Sequence, residues 1–343
     1  MKEYTVAIVG ATGLVGKEVL NILQERKFPI KRLIPLATEE SVGTIVEFRE
    51  EPLIVQRLEE DVFEAVDFAV FAATIEASEE FAPAAVRAGA IVVDNSAHFR
   101  MKSDVPLVIP EINGQQVWEH KGIIANPNCS TIQLLMALYP LDRAFGVEKV
   151  VVSTYQSVSG TGKHALQELA EQSISLLSMK EPKCEVYPKR IGFNLLPHIG
   201  DFDQNGYSEE ERKLRLETAK IMNRDDILIS PTCVRVPVFN CHSQSLNITL
   251  KSSATRKQVH DALSEFPGVE VWDALSLDGE RKEHDEESEL YPVPSECTDR
   301  DEVFVGRIRL DDTASSGVCF WSVMDNLRKG AALNAVQILE MLT

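Results

Sequence analysis

The run Asn126-Pro-Asn-Cys129-Ser-Thr131 sets a cysteine just ahead of an apolar helical stretch, residues 132–141. Pro127 and Asn128 mark a turn, and Ser130 and Thr131 suit a first helical turn. A thiol at the head of a helix faces free N–H groups and the positive end of the dipole, and both favour the thiolate. The thiolate is the reactive form, so Cys129 is the candidate for covalent catalysis on a carbonyl. The other five cysteines, Cys184, Cys233, Cys241, Cys297 and Cys319, lack this flanking and read as small apolar residues. No two cysteines form a C-x-x-C pair, which argues against a zinc site.

A second constellation is Gly10-Ala-Thr-Gly13-Leu-Val-Gly16. It follows an apolar run at residues 4–9 and opens a helical pattern through Leu14, Val15, Val19, Leu20, Ile22 and Leu23. Glycines at such a turn let the backbone approach a pyrophosphate, and the helix N-terminus then faces that anion. A tight strand-to-helix turn with no ligand is the plainer reading, and the spacing is GxxGxxG rather than GxGxxG. Its place after the first strand of a βαβ series favours a dinucleotide. The next strand ends in Leu36-Ala-Thr-Glu39-Glu40-Ser41. Thr38 and Ser41 could bond a 2′-phosphate or a ribose hydroxyl, whereas Glu39 and Glu40 would repel a phosphate. An acid at this place more often accepts from a 2′-OH. From these residues alone the choice between NAD and NADP stays open.

A thiolate beside a nicotinamide suggests one chemistry. The thiol adds to an aldehyde, hydride leaves to the cofactor, and a thioester remains. That requires a general acid/base and donors for an oxyanion. Of the seven histidines, His242, in Cys-His242-Ser-Gln244 near the end of an apolar strand, is the best base, with His164 and His198 as rivals. Arg235 is a candidate carboxylate fork. Gln156 ends a strand before a second glycine-rich turn and could orient a substrate, although a plain strand-end glutamine is an equal reading.

The elements that must position these groups follow from length and pattern. At 343 residues and 44% hydrophobic, the chain suggests two cores on a prior of about 150 residues each. A net charge of −18 argues against a nucleic-acid surface but not against small anions, which need only a few local cations. The N-terminus carries no signal-peptide pattern, and no apolar run reaches the ~18 residues of a membrane span. With scattered cysteines, this reads as a cytoplasmic protein acting on small molecules, with neither nucleic acid nor membrane as partner. Strands at residues 4–9, 34–37, 67–73 and 90–94 alternate with helices at 14–23 and 76–88, which predicts a parallel sheet covered on both faces. Past residue 126 the pattern becomes α+β. Helices are expected at 130–141 and 163–177, and strands at 150–157, 247–251 and 303–310 alternate as in a mixed or antiparallel sheet. The run 278–289 is strongly charged and reads as a solvated loop, and 330–342 is helical by pattern. The expected fold is α/β: a Rossmann-type cofactor domain (1–126 with 325–343) and an α+β catalytic and dimerisation domain (127–324) with a mixed sheet.

Together the pieces resemble the aspartate-β-semialdehyde dehydrogenase family over nearly the whole chain. The resemblance rests on Gly10–Gly16, Asn95-Ser-Ala-His-Phe-Arg-Met101, Pro127-Asn-Cys-Ser-Thr131, Tyr155-Gln-Ser-Val-Ser-Gly160, Ile191-Gly-Phe-Asn-Leu-Leu-Pro-His-Ile-Gly200, Cys233-Val-Arg-Val236 with Cys241-His-Ser-Gln244, and Asp325-Asn-Leu-Arg-Lys-Gly-Ala-Ala332. It implies reversible conversion of L-4-aspartyl phosphate and NADPH to L-aspartate 4-semialdehyde, phosphate and NADP, in lysine, threonine and methionine synthesis. It also implies a homodimer or homotetramer. By resemblance, Cys129 forms the acyl-thioester, His242 moves the proton and Gln156 orients the substrate. Arg235 pairs with the α-carboxylate, Arg100 and Lys213 bind phosphate, Glu210 takes the amino group, and Asn128 lies in the substrate site. Residues Gly10, Thr12, Gly13, Leu14, Val15, Thr38, Glu40, Ser41, Ser159, Gly160 and Asn326 contact the cofactor. The match around Glu210 and Lys213 is the loosest. One departure matters: the family commonly has an arginine where this chain has Glu40, which removes a cation for the 2′-phosphate and leaves room for NAD. N-acetyl-γ-glutamyl-phosphate reductase shares the chemistry but would not want an acid at its acetylated amino group. Glyceraldehyde-3-phosphate dehydrogenase matches only around the cysteine, and an inactive paralogue would not keep Cys129, Gln156, Arg235 and His242.

Overall fold

The computed structural model describes residues 2–273 and 291–343, so the charged run 278–289 lies outside the described residues. The chain forms two compact units, Met1–Asn128 with Gly330–Thr343, and Cys129–Lys329.

In the first unit the order is β1 (Tyr4–Val9), α1 (Leu14–Glu25), β2 (Ile30–Ala37), β3 (Ile45–Phe48), β4 (Glu51–Ile54), β5 (Gln56–Arg57), β6 (Phe68–Phe71), α2 (Ile75–Arg87), β7 (Ile91–Asp94), α3 (Pro110–Asn113) and β8 (Ile123–Ala125). Six strands form a sheet in the order β5-β2-β1-β6-β7-β8, and every pairing is parallel. The continuous apolar run of β1 follows from this, because Val6, Ala7 and Ile8 are buried on both faces of the sheet. Val19, Leu20, Ile22 and Leu23 of α1 pack into the same core. Thr74 caps α2, its hydroxyl accepting from the Ala77 N–H at 3.3 Å.

The second unit runs α4 (Cys129–Phe145), β9 (Val147–Gln156), α5 (Lys163–Leu177), α6 (Glu209–Met222), β10 (Leu228–Arg235), β11 (His242–Leu250), α7 (Arg256–Ser264), β12 (Val269–Val271), α8 (Pro294–Cys297), β13 (Val303–Asp311) and β14 (Gly317–Met324). Its sheet has the order β10-β9-β11-β14-β13-β12, parallel at the two outer pairings and antiparallel between. α4 is buried from Ser130 to Leu138. The last helix, α9 (Leu333–Met341), packs in the core of the first unit through Leu333, Val336, Ile338 and Leu339. No helix among the described residues is long and apolar enough to cross a membrane.

Several elements depart from expectation. The β3–β4 hairpin turns through Arg49 and Glu50 at φ 53° and 64°, a left-handed pair without the Asn-Gly or Asp-Gly that would signal it. β10 carries Pro231, which normally argues against a strand, but it is the sheet edge, where a missing N–H costs little. His242 opens β11 and does not close the apolar strand that precedes it, because that strand ends at Arg235 before the chain re-enters the sheet. The segment 325–329, expected with the cofactor domain, belongs to the second unit. There Asp325 accepts from the Asp299 N–H at 2.9 Å. A wider π turn at Arg328–Ala332 precedes α9, so that helix starts later than its pattern suggested.

Candidate active site

In the first unit the glycine loop leaves β1 with the Gly10 N–H donating to Leu36 O at 2.8 Å. Gly10 has φ +83°, and a Cβ there would sit 2.3 Å from Ala72 O. A Cβ on Gly16 would fall 2.1 Å from Gly10 O. Only glycine permits so tight a turn, and it delivers bare backbone to the head of α1. That geometry fits a pyrophosphate, and Gly13, Leu14 and Val15 form the mouth of the turn. Thr12 Oγ1 donates to Ser41 Oγ at 3.1 Å, tying the loop to the end of β2. Thr38, Glu39 and Glu40 are exposed there. Glu39 forms an ion pair with Arg57, the last residue of β5, so a cation reaches this turn that sequence reasoning missed. Arg100 lies on the loop after β7 and is buried, its Nη2 donating to Asn95 O at 2.7 Å. The loop is pinned by Asp94, which accepts from Ser78 Oγ and Ser96 Oγ, each at 2.7 Å. Asn128 is buried as well.

The second unit gathers the catalytic candidates. Cys129 is the first residue of α4 and is half-buried. Two buried glutamines join the head of this helix to the start of β11. Gln244 Nε2 donates to Ser130 O at 2.8 Å, and Gln133 Nε2 donates to His242 O at 3.2 Å and to Ser322 Oγ at 3.1 Å. Neither glutamine had a role in the sequence reading, because a buried amide inside an apolar pattern looks like a flaw until its partners are known. Of the other cysteines, Cys184 is exposed and Cys319 half-buried, against the expectation of small apolar core residues, and the three buried thiols are poor nucleophiles. Burial pushes the thiols of Cys233 and Cys241 far up and that of Cys297 up to about 12.

His242 is fully buried. Burial first, and the charge of Arg235 second, hold its imidazole well below the usual histidine range. Its rivals are elsewhere: His164 is exposed on α5, and His198 is exposed and stacks on Phe202 at 4.5 Å. Arg235 Nη1 donates to Ser157 O at 2.7 Å, while its buried Nε meets no acceptor among the described residues. A guanidinium so placed keeps a donor for an incoming anion. Gln156 ends β9, and its Nε2 donates to Glu210 Oε1 at 3.0 Å. Glu210 and Lys213 owe their place to a capping box at the head of α6. Ser208 Oγ accepts from the Glu211 N–H at 3.4 Å and Glu211 Oε2 accepts from the Ser208 N–H at 2.7 Å. The other Glu211 oxygen accepts from the Cys233 N–H at 3.0 Å and fixes α6 to β10. Lys213 Nζ lies 2.7 Å from Glu209 and 3.8 Å from Glu210. Ser159, Gly160 and Asn326, expected at a cofactor, all lie in this unit. Asn326 Nδ2 donates to Ser159 Oγ at 3.0 Å, and a Cβ on Gly160 would stand 3.2 Å from Arg235 Nη1 and 3.3 Å from His242 Nε2.

A parallel sheet with a glycine loop after its first strand, in a chain whose second, mixed-sheet unit carries a cysteine at a helix head, is the architecture of a dinucleotide-dependent enzyme. Comparison with known proteins makes this specific. The family described as semialdehyde dehydrogenase, NAD binding domain, matches residues 5–120, and semialdehyde dehydrogenase, dimerisation domain, matches residues 138–329. Aspartate-semialdehyde dehydrogenase of Legionella pneumophila is 48% identical over 99% of this chain and 96% of its own length, and that of Bacillus subtilis is 44% identical over 98% and 96%. The crystal structure of aspartate semialdehyde dehydrogenase II from Vibrio cholerae, complexed with ASA, superposes with a TM-score of 0.93 at 42% identity, covering 100% of this chain and 98% of that one. The chain belongs to the aspartate-semialdehyde dehydrogenase family. It is an oxidoreductase of amino-acid biosynthesis, and the N-acetyl-γ-glutamyl-phosphate reductase alternative is not favoured.

Proposed function

We propose that the chain catalyses the reversible NADP-dependent reductive dephosphorylation of L-4-aspartyl phosphate to L-aspartate 4-semialdehyde through a thioester on Cys129. The observation that carries this reading is the pair of amide ties, Gln133 and Gln244, joining the head of the Cys129 helix to the strand that starts at His242. The Cys129 sulfur attacks the acyl carbon, phosphate leaves, and the thioester holds the aspartyl group. A bound nicotinamide supplies hydride in this direction and receives it in the other. His242 gives and takes the proton at Nε2. Gln156, held by Glu210, orients the acyl group. Arg235 takes the α-carboxylate, Glu210 the ammonium, and Lys213 and Arg100 the phosphate. The test is an assay of aspartate semialdehyde oxidation with each nicotinamide, in the presence and absence of phosphate or arsenate. Turnover that does not depend on the anion would remove the acyl-phosphate step.

Arg235→Leu should raise KM for the semialdehyde strongly, since the leucine leaves a substrate carboxylate without its fork. An unchanged KM would displace Arg235 from that role.

For the cofactor, we propose NADP with a weakened preference. Glu40 brings a negative charge to the turn, while Thr38, Ser41 and Arg57 offer two hydroxyls and a cation. The ratio of kcat/KM for NADPH over NADH should stay below about 10³, or about 4 kcal/mol. Glu40→Arg should raise it by about tenfold or more. A wild-type ratio above that limit overturns the proposal. We further propose a homodimer or homotetramer working in the cytoplasm, in lysine, threonine and methionine synthesis. Exposed apolar side chains on the second unit, Ile174, Leu177, Met179, Phe193 and Leu195, support self-association, which light scattering checks.

A further inference from the structure

Ser157 carries no role in the sequence reading, yet the buried polar groups at the end of β9 converge on it. Its backbone N–H donates to His242 Nδ1 at 3.1 Å. Its Oγ lies 3.1 Å from the same nitrogen, 3.0 Å from Ser159 Oγ and 2.9 Å from Asn326 Oδ1. Ser157 and His242 are both fully buried. His242 Nε2, in contrast, has no partner among the described residues and faces the side of Gly160 that lacks a side chain.

These contacts constrain the protons. A backbone N–H only donates, so Nδ1 offers it a lone pair, and the neutral ring then carries its hydrogen on Nε2. Taking a proton at Nε2 needs the other arrangement, with hydrogen on Nδ1 and a lone pair on Nε2. After the proton arrives, the imidazolium carries hydrogen on both nitrogens. Both of these forms need an acceptor at Nδ1, and the Ser157 N–H cannot serve. Ser157 Oγ can accept at the same distance, while its own hydrogen stays on the oxygen and donates to Asn326 Oδ1. The change of tautomer balances as an exchange with solvent water: one solvent proton is bound at Nδ1 and the Nε2 proton is released, the ring ends neutral, and the proton then taken at Nε2 is the one later returned.

We propose that Ser157 is a positioning residue that sets the proton arrangement of His242. Its N–H holds the resting ring as the Nε2–H tautomer, and its hydroxyl, backed by Asn326, receives Nδ1–H while the ring transfers protons. This rests on the acid/base reading of His242 given above.

Two measurements on the full-length enzyme test it. In ¹⁵N-histidine NMR, with the His242 signals assigned by their loss in His242→Asn, the resting ring should show a protonated Nε2 and a lone pair on Nδ1. In steady-state kinetics, Ser157→Ala should lower kcat by about tenfold or more with KM little changed, and Ser157→Thr, which restores the hydroxyl, should recover most of it. A resting ring protonated at Nδ1 overturns the proposal. So does Ser157→Ala with wild-type kcat, or a folded Ser157→Thr as slow as the alanine variant. The spectrum is read on the wild-type chain, so it decides even if Ser157→Ala does not fold. It also stands apart from the proposed reaction, whose failure would appear as a wild-type enzyme inert toward aspartate semialdehyde.

Discussion

Cys129→Ala should abolish turnover while leaving dinucleotide affinity nearly unchanged. The three buried cysteines of the same unit cannot take over. Cys233, Cys241 and Cys297 are buried, and desolvation holds their thiols in the protonated form. The proposed dinucleotide site centres on the backbone of the glycine loop, which belongs to the other unit and contains no cysteine, and its expected residues in the second unit, Ser159, Gly160 and Asn326, do not include Cys129. Steady-state rates alongside a dinucleotide titration check both halves. Appreciable turnover in the variant would move the nucleophile to another group, and a collapse of cofactor binding would make the substitution a folding defect.

His242→Asn should lower kcat by roughly 10²–10⁴, the span that accompanies loss of a general acid/base. Asparagine is the informative replacement because it is polar, of similar size, and offers an oxygen where the Ser157 N–H now meets Nδ1. Near-wild-type activity would hand the role to another residue. The same substitution has a signature in stability. The folded state opposes protonation of His242, so the unfolded chain binds the extra proton more readily. Stability from this source is present above the unfolded value of about 6.5 and is lost as pH falls below it. Denaturant melts at pH 5.5 and 7.5 should show a smaller pH difference for the asparagine variant than for the wild type.

What was legible in the sequence had a local cause. The glycine loop is readable because a backbone turning at positive φ under Ala72 excludes every side chain, and the buried strands of the first sheet because both of their faces are covered. Cys129 is readable because a turn and a polar first turn announce a helix start. What escaped depends on partners distant in the chain. Gln133 and Gln244 make sense only once their carbonyl partners are known, and Glu211 only once β10 lies beside α6. Arg57 gives no sign of reaching Glu39 until β5 pairs with β2. Ser157 looks like any strand-end serine until His242 is brought against it. The β3–β4 hairpin escaped for the opposite reason: its turn uses residues that rarely adopt that backbone.

The Gln133 amide spans 109 residues of chain to the His242 carbonyl and 189 to the Ser322 hydroxyl. Contacts closed over such distances form late, after the loop entropy between them has been spent. During refolding, secondary structure should therefore return before activity does. A nascent or clipped chain that lacks β14 would lose the Ser322 hydroxyl and one of the two strands flanking β11, so the strand that opens at His242 is fully braced only when the molecule is nearly whole.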